Sequence, residues 1–208
     1  MALTPKQAAD DCMARARELL KHSLLAGMTP LLAADLRRVA LVMGLASVDT
    51  YMHMVVLRQA SQKRWTPSAS LSNLKINFGD LATLANGVVI ARSAGTKSRP
   101  WVAVKNALHR HLLRIPLQSA KAVGDAMAMG GLDKGWTKVS AHLGTKPEDV
   151  MSRLDRIHHR RNQIVHEGDL RRLVRPQKVD RNVCSEVDVQ ADLDWIDSLL
   201  DALAKELP

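Results

Sequence analysis

The sequence predicts an all-α protein, a helical bundle with an irregular helical region in its middle. Helix start and stop signals recur along the whole chain, and the last segment repeats its apolar residues with helical spacing. Only residues 73–78 alternate as a strand does, and we interpret them as an extended linker. The chain has no internal repeat, so we expect one domain over residues 1–208, with residues 61–146 as its irregular middle region.

Two helices are predicted in the N-terminal part. Thr4-Pro5-Lys6-Gln7 combines a threonine N-cap, a proline in the first turn and a capping-box glutamine, so a helix is expected from there to about Leu25. Thr29-Pro30 predicts the start of a second helix that extends to about Gln59. Residues 39–57 of this helix are apolar on nearly every side, which is typical of the central helix of a bundle.

The middle region, which includes a loop rich in Gly, Ser and Lys at residues 93–100, is expected to form several shorter helices. Each is bounded by a proline, a glycine or a helix cap. The predicted segments are residues 80–91, 100–114, 119–129 and 136–143.

Two longer helices complete the predicted bundle. Thr145-Lys146-Pro147-Glu148 opens the first, which carries an apolar stripe and ends at Gly168. The second repeats leucine and isoleucine at alternating spacings of three and four residues from Leu193 to Leu207. Its opening turns hold aspartates, which complement the positive end of the helix dipole.

The composition favours a soluble, cytoplasmic protein without a metal or cofactor. Hydrophobic residues make up 46% and charged residues 25%, which is ordinary for a globular chain. The longest apolar run, residues 39–48, ends at Asp49 and falls short of the roughly 18 residues that span a bilayer. The N-terminus lacks the pattern of a signal peptide. Cys12 and Cys184 form no metal or redox spacing.

The charge is unevenly distributed. The formal net charge is +9, yet residues 183–208 contain seven acids and one lysine. Residues 153–181 contain nine Arg and Lys against four Asp and Glu, which suits a polyanion such as RNA. A solvated helix face is the alternative interpretation. With one Phe, one Tyr and four Trp, the chain offers no base-stacking platform, so RNA would be held through its phosphates.

The segment from Arg160 to Asp169 contains the residues with chemical potential. Residues four apart share a helix face, so Asn162 and His166 lie together. Arg161 lies further round the helix, but its long side chain can reach the same pocket. The alternative is a capping histidine beside surface arginines.

These residue types fit RNA cleavage without a metal. A histidine takes the proton from a ribose 2′-OH, and an arginine holds the phosphate and stabilises the developing charge. Each chain supplies a single such histidine, so a two-fold dimer would supply the second. A metal site formed by His158, His159 and His166, or by His109 and His111, is disfavoured because no cysteine or carboxylate set completes it.

The chain resembles the HEPN domain superfamily, and in particular the branch labelled RiboL-PSP-HEPN. The segment from Arg161 to His166 matches the Arg-Asn-x-x-x-His form of the Arg-x(4–6)-His motif of these domains. Other similar segments are residues 48–53, 99–100, 117–119 and 144–150. The resemblance covers roughly residues 30 to 205, and it departs at Leu117, where the branch usually has an aromatic residue.

The resemblance implies an all-α, up-and-down helical bundle that is commonly dimeric, with the motif at the subunit interface. It implies metal-independent endoribonuclease activity, often in toxin–antitoxin or phage-defence systems, with an antitoxin or regulatory partner protein. It makes Arg161 and His166 the catalytic pair, Asn162 the polar residue beside them, and Asp49 the acid that orients Arg161. Some HEPN domains bind RNA or a protein without cleaving, so a non-catalytic module is the alternative.

The basic segment around the motif supplies the expected RNA contacts. These are His159, Arg160, Arg171 and Arg172.

Overall fold

The computed structural model describes residues 3–60, 72, 75, 78–95, 100–171 and 179–207, except the side chains of residues 100, 101 and 103. These residues form eight helices: α1 (Pro5–His22), α2 (Pro30–Gln59), α3 (Phe78–Ser93), α4 (Pro100–Leu112), α5 (Ala120–Met129), α6 (Gly135–Leu143), α7 (Pro147–Glu167) and α8 (Glu186–Glu206). Within these ranges the backbone forms no strand, only an isolated bridge between Leu170 and Arg181. The all-α prediction is confirmed. Most of the expected linker at 73–78 lies outside the described residues.

The capping signals set the helix boundaries. The side chain of Thr4 accepts a hydrogen bond from the Gln7 backbone, and the Gln7 side chain accepts one from the Thr4 backbone, so the predicted capping box is formed. Thr29 caps α2 by accepting from the backbone of Leu32. Gly168 ends α7 with φ of 60°, a left-handed conformation that glycine adopts without strain.

Two helices end earlier than expected. α1 stops at His22 rather than near Leu25, because Ser23 is buried and its hydroxyl donates to the carbonyl of Leu20 at 2.6 Å. The backbone amide of Ser23 donates to the same carbonyl at 3.0 Å, so the last turn of the helix is closed at this residue. α4 stops at Leu112 rather than Arg114, and a turn follows.

α2 is the central helix of the bundle, and α1, α4, α5, α7 and α8 pack against it. Twelve of its residues are buried, from Ala33 to Val56. By length and composition α2 is able to cross a membrane, with a stretch of mean hydropathy 1.6, which corrects the expectation that no segment approaches that length. Inside the protein 56% of that stretch is buried, so its role in the core accounts for its apolar character.

Within the middle region α3 lies at the periphery of this bundle, whereas α5 and α6 contribute buried residues to its core. α3 packs against α4, and α4 contacts α2. None of the described residues of α3 is buried, and Phe78 at its start is 81% exposed. The region is helical in its described parts, as expected, but α3 contributes nothing to the main core.

α2 and α8 pack closely together at Gly44. A Cβ added there would lie 2.3 Å from Cδ2 of Leu193, a side chain with no exposure to solvent. Gly44 therefore serves the packing of two helices, although glycine in a helix interior costs about 1 kcal/mol relative to alanine.

We predict that Gly44→Ala destabilises the protein, while the matched change Gly87→Ala in α3 does not. Both substitutions gain helix propensity, but only Gly44 meets a packed neighbour, because nothing lies within 4 Å of a Cβ at Gly87. Overpacking costs about 1–3 kcal/mol, which exceeds the gain in propensity. Urea unfolding monitored by circular dichroism gives both values. Equal stability of the two variants would contradict the close approach.

Candidate functional site

The motif residues lie on different sides of α7. Arg161 follows the buried residues Leu154 and Ile157 at helical spacing, so it continues the core-facing stripe and is half-buried. His166 is exposed in the last turn of the helix, on the same side as Asn162 and one turn beyond it. The arginine therefore approaches the site from the core side, and the histidine faces solvent.

A short chain of hydrogen bonds holds Arg161 and Asn162 together. Nη1 of Arg161 donates to Oδ1 of Asn162 at 3.0 Å, and Nδ2 of Asn162 donates to Nε2 of His158 at 3.2 Å. Burial lowers the pKa of His158, and Arg161 and His159 lower it further, while Asp155 partly offsets these effects. His158 is therefore neutral near pH 7, as an acceptor at Nε2 must be.

The charge of Arg161 has no acidic partner among the described residues. Its Nε is buried and makes no hydrogen bond to any described residue. A half-buried guanidinium in this state attracts an anion strongly, because the surrounding dielectric is low. Arg161 is thus suited to hold a phosphate that enters beside Asn162 and His166.

Asp49 makes its direct contacts elsewhere. Its Oδ1 accepts from the backbone of Leu117 at 2.5 Å and lies 3.4 Å from Nδ1 of His53. The His53 ring also contacts the carbonyl of Leu112 at 2.9 Å. Asp49 and His53 of α2 therefore fix the connection between α4 and α5. No hydrogen bond or ion pair joins Asp49 to Arg161 within the described structure. The expectation that Asp49 orients Arg161 is therefore not supported by a direct contact.

A buried ion cluster lies immediately after the motif, and we call Asp169 with its partners Arg38, Arg160 and Asn182 the Asp169 clasp. Asp169 is 0% exposed. Its carboxylate accepts from Nε of Arg38 at 2.6 Å, from both terminal nitrogens of Arg160, and from Nδ2 of Asn182 at 3.1 Å. The backbone of Asn182 also donates to the Asp169 carbonyl at 2.9 Å. The clasp joins α2, the end of α7 and the segment that leads into α8.

The backbone of Asp169 reflects this constraint. Its φ is 59°, a left-handed value that directly follows that of Gly168 and that is uncommon outside glycine, although aspartate adopts it several-fold more often than most other residues. Its backbone amide donates to the carbonyl of Gln163 at 2.9 Å. The turn that ends α7 just beyond His166 is therefore fixed by both side-chain and backbone bonds.

The clasp gives Arg160 a role that the sequence did not predict. Its guanidinium is committed to Asp169 and to the carbonyl of Val183 at 3.1 Å, so it is a structural residue as well as a candidate RNA contact. Arg171 forms an exposed pair with Asp180 at 3.0 Å. His159 is exposed and has no polar partner among the described residues. Arg172 lies outside the described residues.

A groove lies between α7 and the N-terminal part of α8. It encloses about 500 Å³, and Arg153, Arg156, His159, Arg160 and Gln163 of α7 line one wall. Arg161, Asn162 and His166 do not line it. His159 and Gln163 precede His166 by seven and three residues, so they occupy the ridge between the groove and the histidine. The candidate catalytic face and the groove are therefore neighbours on one helix.

Comparison of the chain with models of protein families, with curated proteins and with solved structures finds no match. The resemblance to HEPN domains therefore depends on the sequence motifs alone. Among the described residues, no group of three or more His, Cys, Asp or Glu side chains is placed to hold a metal ion.

Sequence reasoning missed three contributors to the site. The sequence suggested His158 as part of a disfavoured metal site, yet it is neutral and supports Asn162. Arg38 and Asp169 are 131 residues apart in the chain, so no local pattern joins them. One signal was available for Asp169: a carboxylate directly after a glycine helix stop, close to several arginines, has a cation within reach.

We predict that Asp169→Asn destabilises the protein by about 3–5 kcal/mol, because it removes the buried anion that Arg38 and Arg160 share and leaves Arg38 with only the exposed Asp35 among the described acids. Asparagine tolerates the left-handed backbone, so the loss reports the charge rather than strain. The matched control is Asp180→Asn, which breaks the exposed pair with Arg171 and costs about 0–1 kcal/mol. Denaturant unfolding measures both. Similar losses in the two variants would show that the clasp contributes no more than a surface ion pair.

Proposed function

We propose that the protein is a metal-independent endoribonuclease of HEPN type that acts as a homodimer on RNA. One observation carries the proposal: an exposed histidine, His166, stands at the fixed end of α7 beside Asn162, with the unpaired cation of Arg161 behind them. This combines a group that moves a proton with a group that holds a phosphate. The sequence motif from Arg161 to His166 supports the same interpretation.

The proposed reaction begins with proton transfer from a ribose 2′-OH to His166. The freed oxygen attacks the adjacent phosphorus, and the bond from phosphorus to the 5′-oxygen of the next nucleotide breaks. Arg161 stabilises the extra negative charge on the phosphoryl oxygens as the attack proceeds. The products carry a 2′,3′-cyclic phosphate and a 5′-OH.

The leaving 5′-oxygen needs a proton, and a second chain can supply it. Within the described part of one chain, His166 is the only histidine on this turn of α7. In a two-fold dimer, His166 of the partner subunit would act as the acid while the first acts as the base. Val165 and Leu170 flank the histidine with 46% and 43% exposure, which offers an apolar contact for a second copy.

The setting follows from the resemblance rather than from the site. We propose a cytoplasmic toxin–antitoxin or phage-defence role, in which an antitoxin or regulatory partner protein controls the activity. Because unrestrained RNA cleavage harms the cell that makes the enzyme, expression of the active chain alone should slow growth.

We predict that the purified chain cleaves RNA in EDTA and leaves 2′,3′-cyclic phosphate ends. His166→Ala should lower the rate by about 10²–10⁴, the usual contribution of a positioned general base. Arg161→Ala should give a loss of similar kind, and His109→Ala, at an exposed histidine of α4, should leave the rate unchanged. Gel assays with end-group analysis measure these effects. A rate unaffected by His166→Ala would contradict the proposed chemistry.

The alternative is a non-catalytic module that binds RNA or a partner protein through the same face. It is favoured by the half-burial of Arg161 and by its existing bond to Asn162, which suit recognition as well as catalysis. In that case His166→Ala leaves RNA binding and phenotype unchanged. Charge reversal at the exposed Arg171 then weakens binding, and the effect shrinks as salt rises.

A further inference from the structure

The groove between α7 and α8 has the composition of a ligand site. Three buried residues, Leu41, Cys184 and Val189, form an apolar floor. Burial raises the pKa of the Cys184 thiol, so this group is uncharged. The volume of about 500 Å³ falls within the range of small-molecule pockets and exceeds the needs of ordered water alone. Val183, at the rim, leaves 86% of its surface in solvent.

The wall on α7 presents planar cations. The Arg153 guanidinium lies over the ring of Trp195 at 5.1 Å and donates to the carbonyl of Ala191 at 3.0 Å, so its plane is fixed. Its Nε is buried without a hydrogen-bond partner in the described structure. Arg156 forms an ion pair with Asp192 at 2.7 Å, yet 60% of the Arg156 side chain is exposed. Fixed guanidinium planes stack on nucleobases and bind phosphate, and they need no aromatic residue.

The rim adds unpaired hydrogen-bonding groups. His159 and Gln163 have no side-chain partner among the described residues. Across the groove, Oδ2 of Asp188 accepts from the Ser185 hydroxyl at 2.5 Å, and Oδ1 of Asp188 has no hydrogen-bond partner among the described residues. A carboxylate oxygen in this position selects a ligand with an amino group, as aspartate does with the N4 amine of cytosine.

We propose that this groove binds one nucleotide whose base carries an amino group, with cytosine preferred over uracil. The base lies on the apolar floor against the arginine wall, with its amine at Asp188, and its phosphate faces Arg156 and the ridge of His159 and Gln163. That ridge ends at His166. If the proposed function holds, the bound nucleotide is therefore the neighbour of the cleaved phosphodiester. The groove is thus a specificity subsite.

The test compares CMP with UMP on the full chain by titration calorimetry. The two ligands differ at ring position 4, where cytosine has an amine and uracil an oxygen, and at N3, which is an acceptor in cytosine and an N–H donor in uracil. We expect CMP to bind about tenfold more tightly than UMP, the effect of about one satisfied hydrogen bond to a charged group. Asp188→Asn should abolish that preference. The double variant His159→Ala with Gln163→Ala should weaken the binding of CMP by about tenfold.

The controls replace the same residue types outside the groove. His109→Ala and Gln190→Ala change residues that do not line it, so CMP binding should stay as in the unaltered chain. A 2′-O-methylated oligocytidine, which cannot be cleaved through a 2′-OH, identifies the source of the nucleotide. Tighter binding of the oligonucleotide than of CMP, lost in the groove variants, supports an RNA strand. Equal binding supports a free nucleotide.

Two results would overturn the proposal. One is the absence of saturable binding for CMP and for the oligocytidine. The other is equal weakening by the groove variants and by the control variants. Neither depends on catalysis, since no ligand in the test is cleaved. Conversely, the rate of RNA cleavage could be the same in the groove variants as in the unaltered chain and show no cytosine preference. That result would leave the nuclease proposal intact and contradict the proposed subsite.

Discussion

The buried carboxylate of Asp169 is the interaction on which the rest of the site depends. A fully buried charge is costly unless paired, and here Arg38 and Arg160 neutralise it while Asn182 satisfies it further. Arg38 comes from the central helix, Arg160 from the motif helix, and Asn182 from the segment entering α8. One group thus fixes the end of α7 beside His166 and one wall of the groove. A helix end otherwise frays, and a frayed end would not hold a histidine in place.

Three sides of α7 have different roles. Leu154 and Ile157 pack into the core, and Arg161 continues this buried stripe with a charged side chain instead of an apolar one. Asn162 and His166 occupy the solvent side, and the arginines of the groove occupy the third. The placement of Arg161 has an energetic consequence: a phosphate bound there meets a charge in a low dielectric, where electrostatic stabilisation is stronger than at an exposed residue.

Local signals predicted the helices well, because caps act within a few residues. Thr4, Thr29 and Gly168 set the boundaries where the sequence places them. The four-residue spacing within a predicted helix also placed Asn162 and His166 on one face. Long-range partners were beyond such reasoning: Asp49 was expected near Arg161, but it binds the backbone of Leu117. The groove also escaped prediction, since its floor combines α2, α8 and the residues between α7 and α8.

The central claim is that RNA binds at the His166 end of α7. The most direct test is nuclear magnetic resonance of the histidine rings during titration with a 2′-O-methylated oligocytidine. The account predicts large shifts for His166 and His159, and small ones for His109 in α4 and His22 in α1, which are exposed elsewhere. Large shifts at His109 or His22 with none at His166 would contradict it, and would place the RNA surface away from the motif.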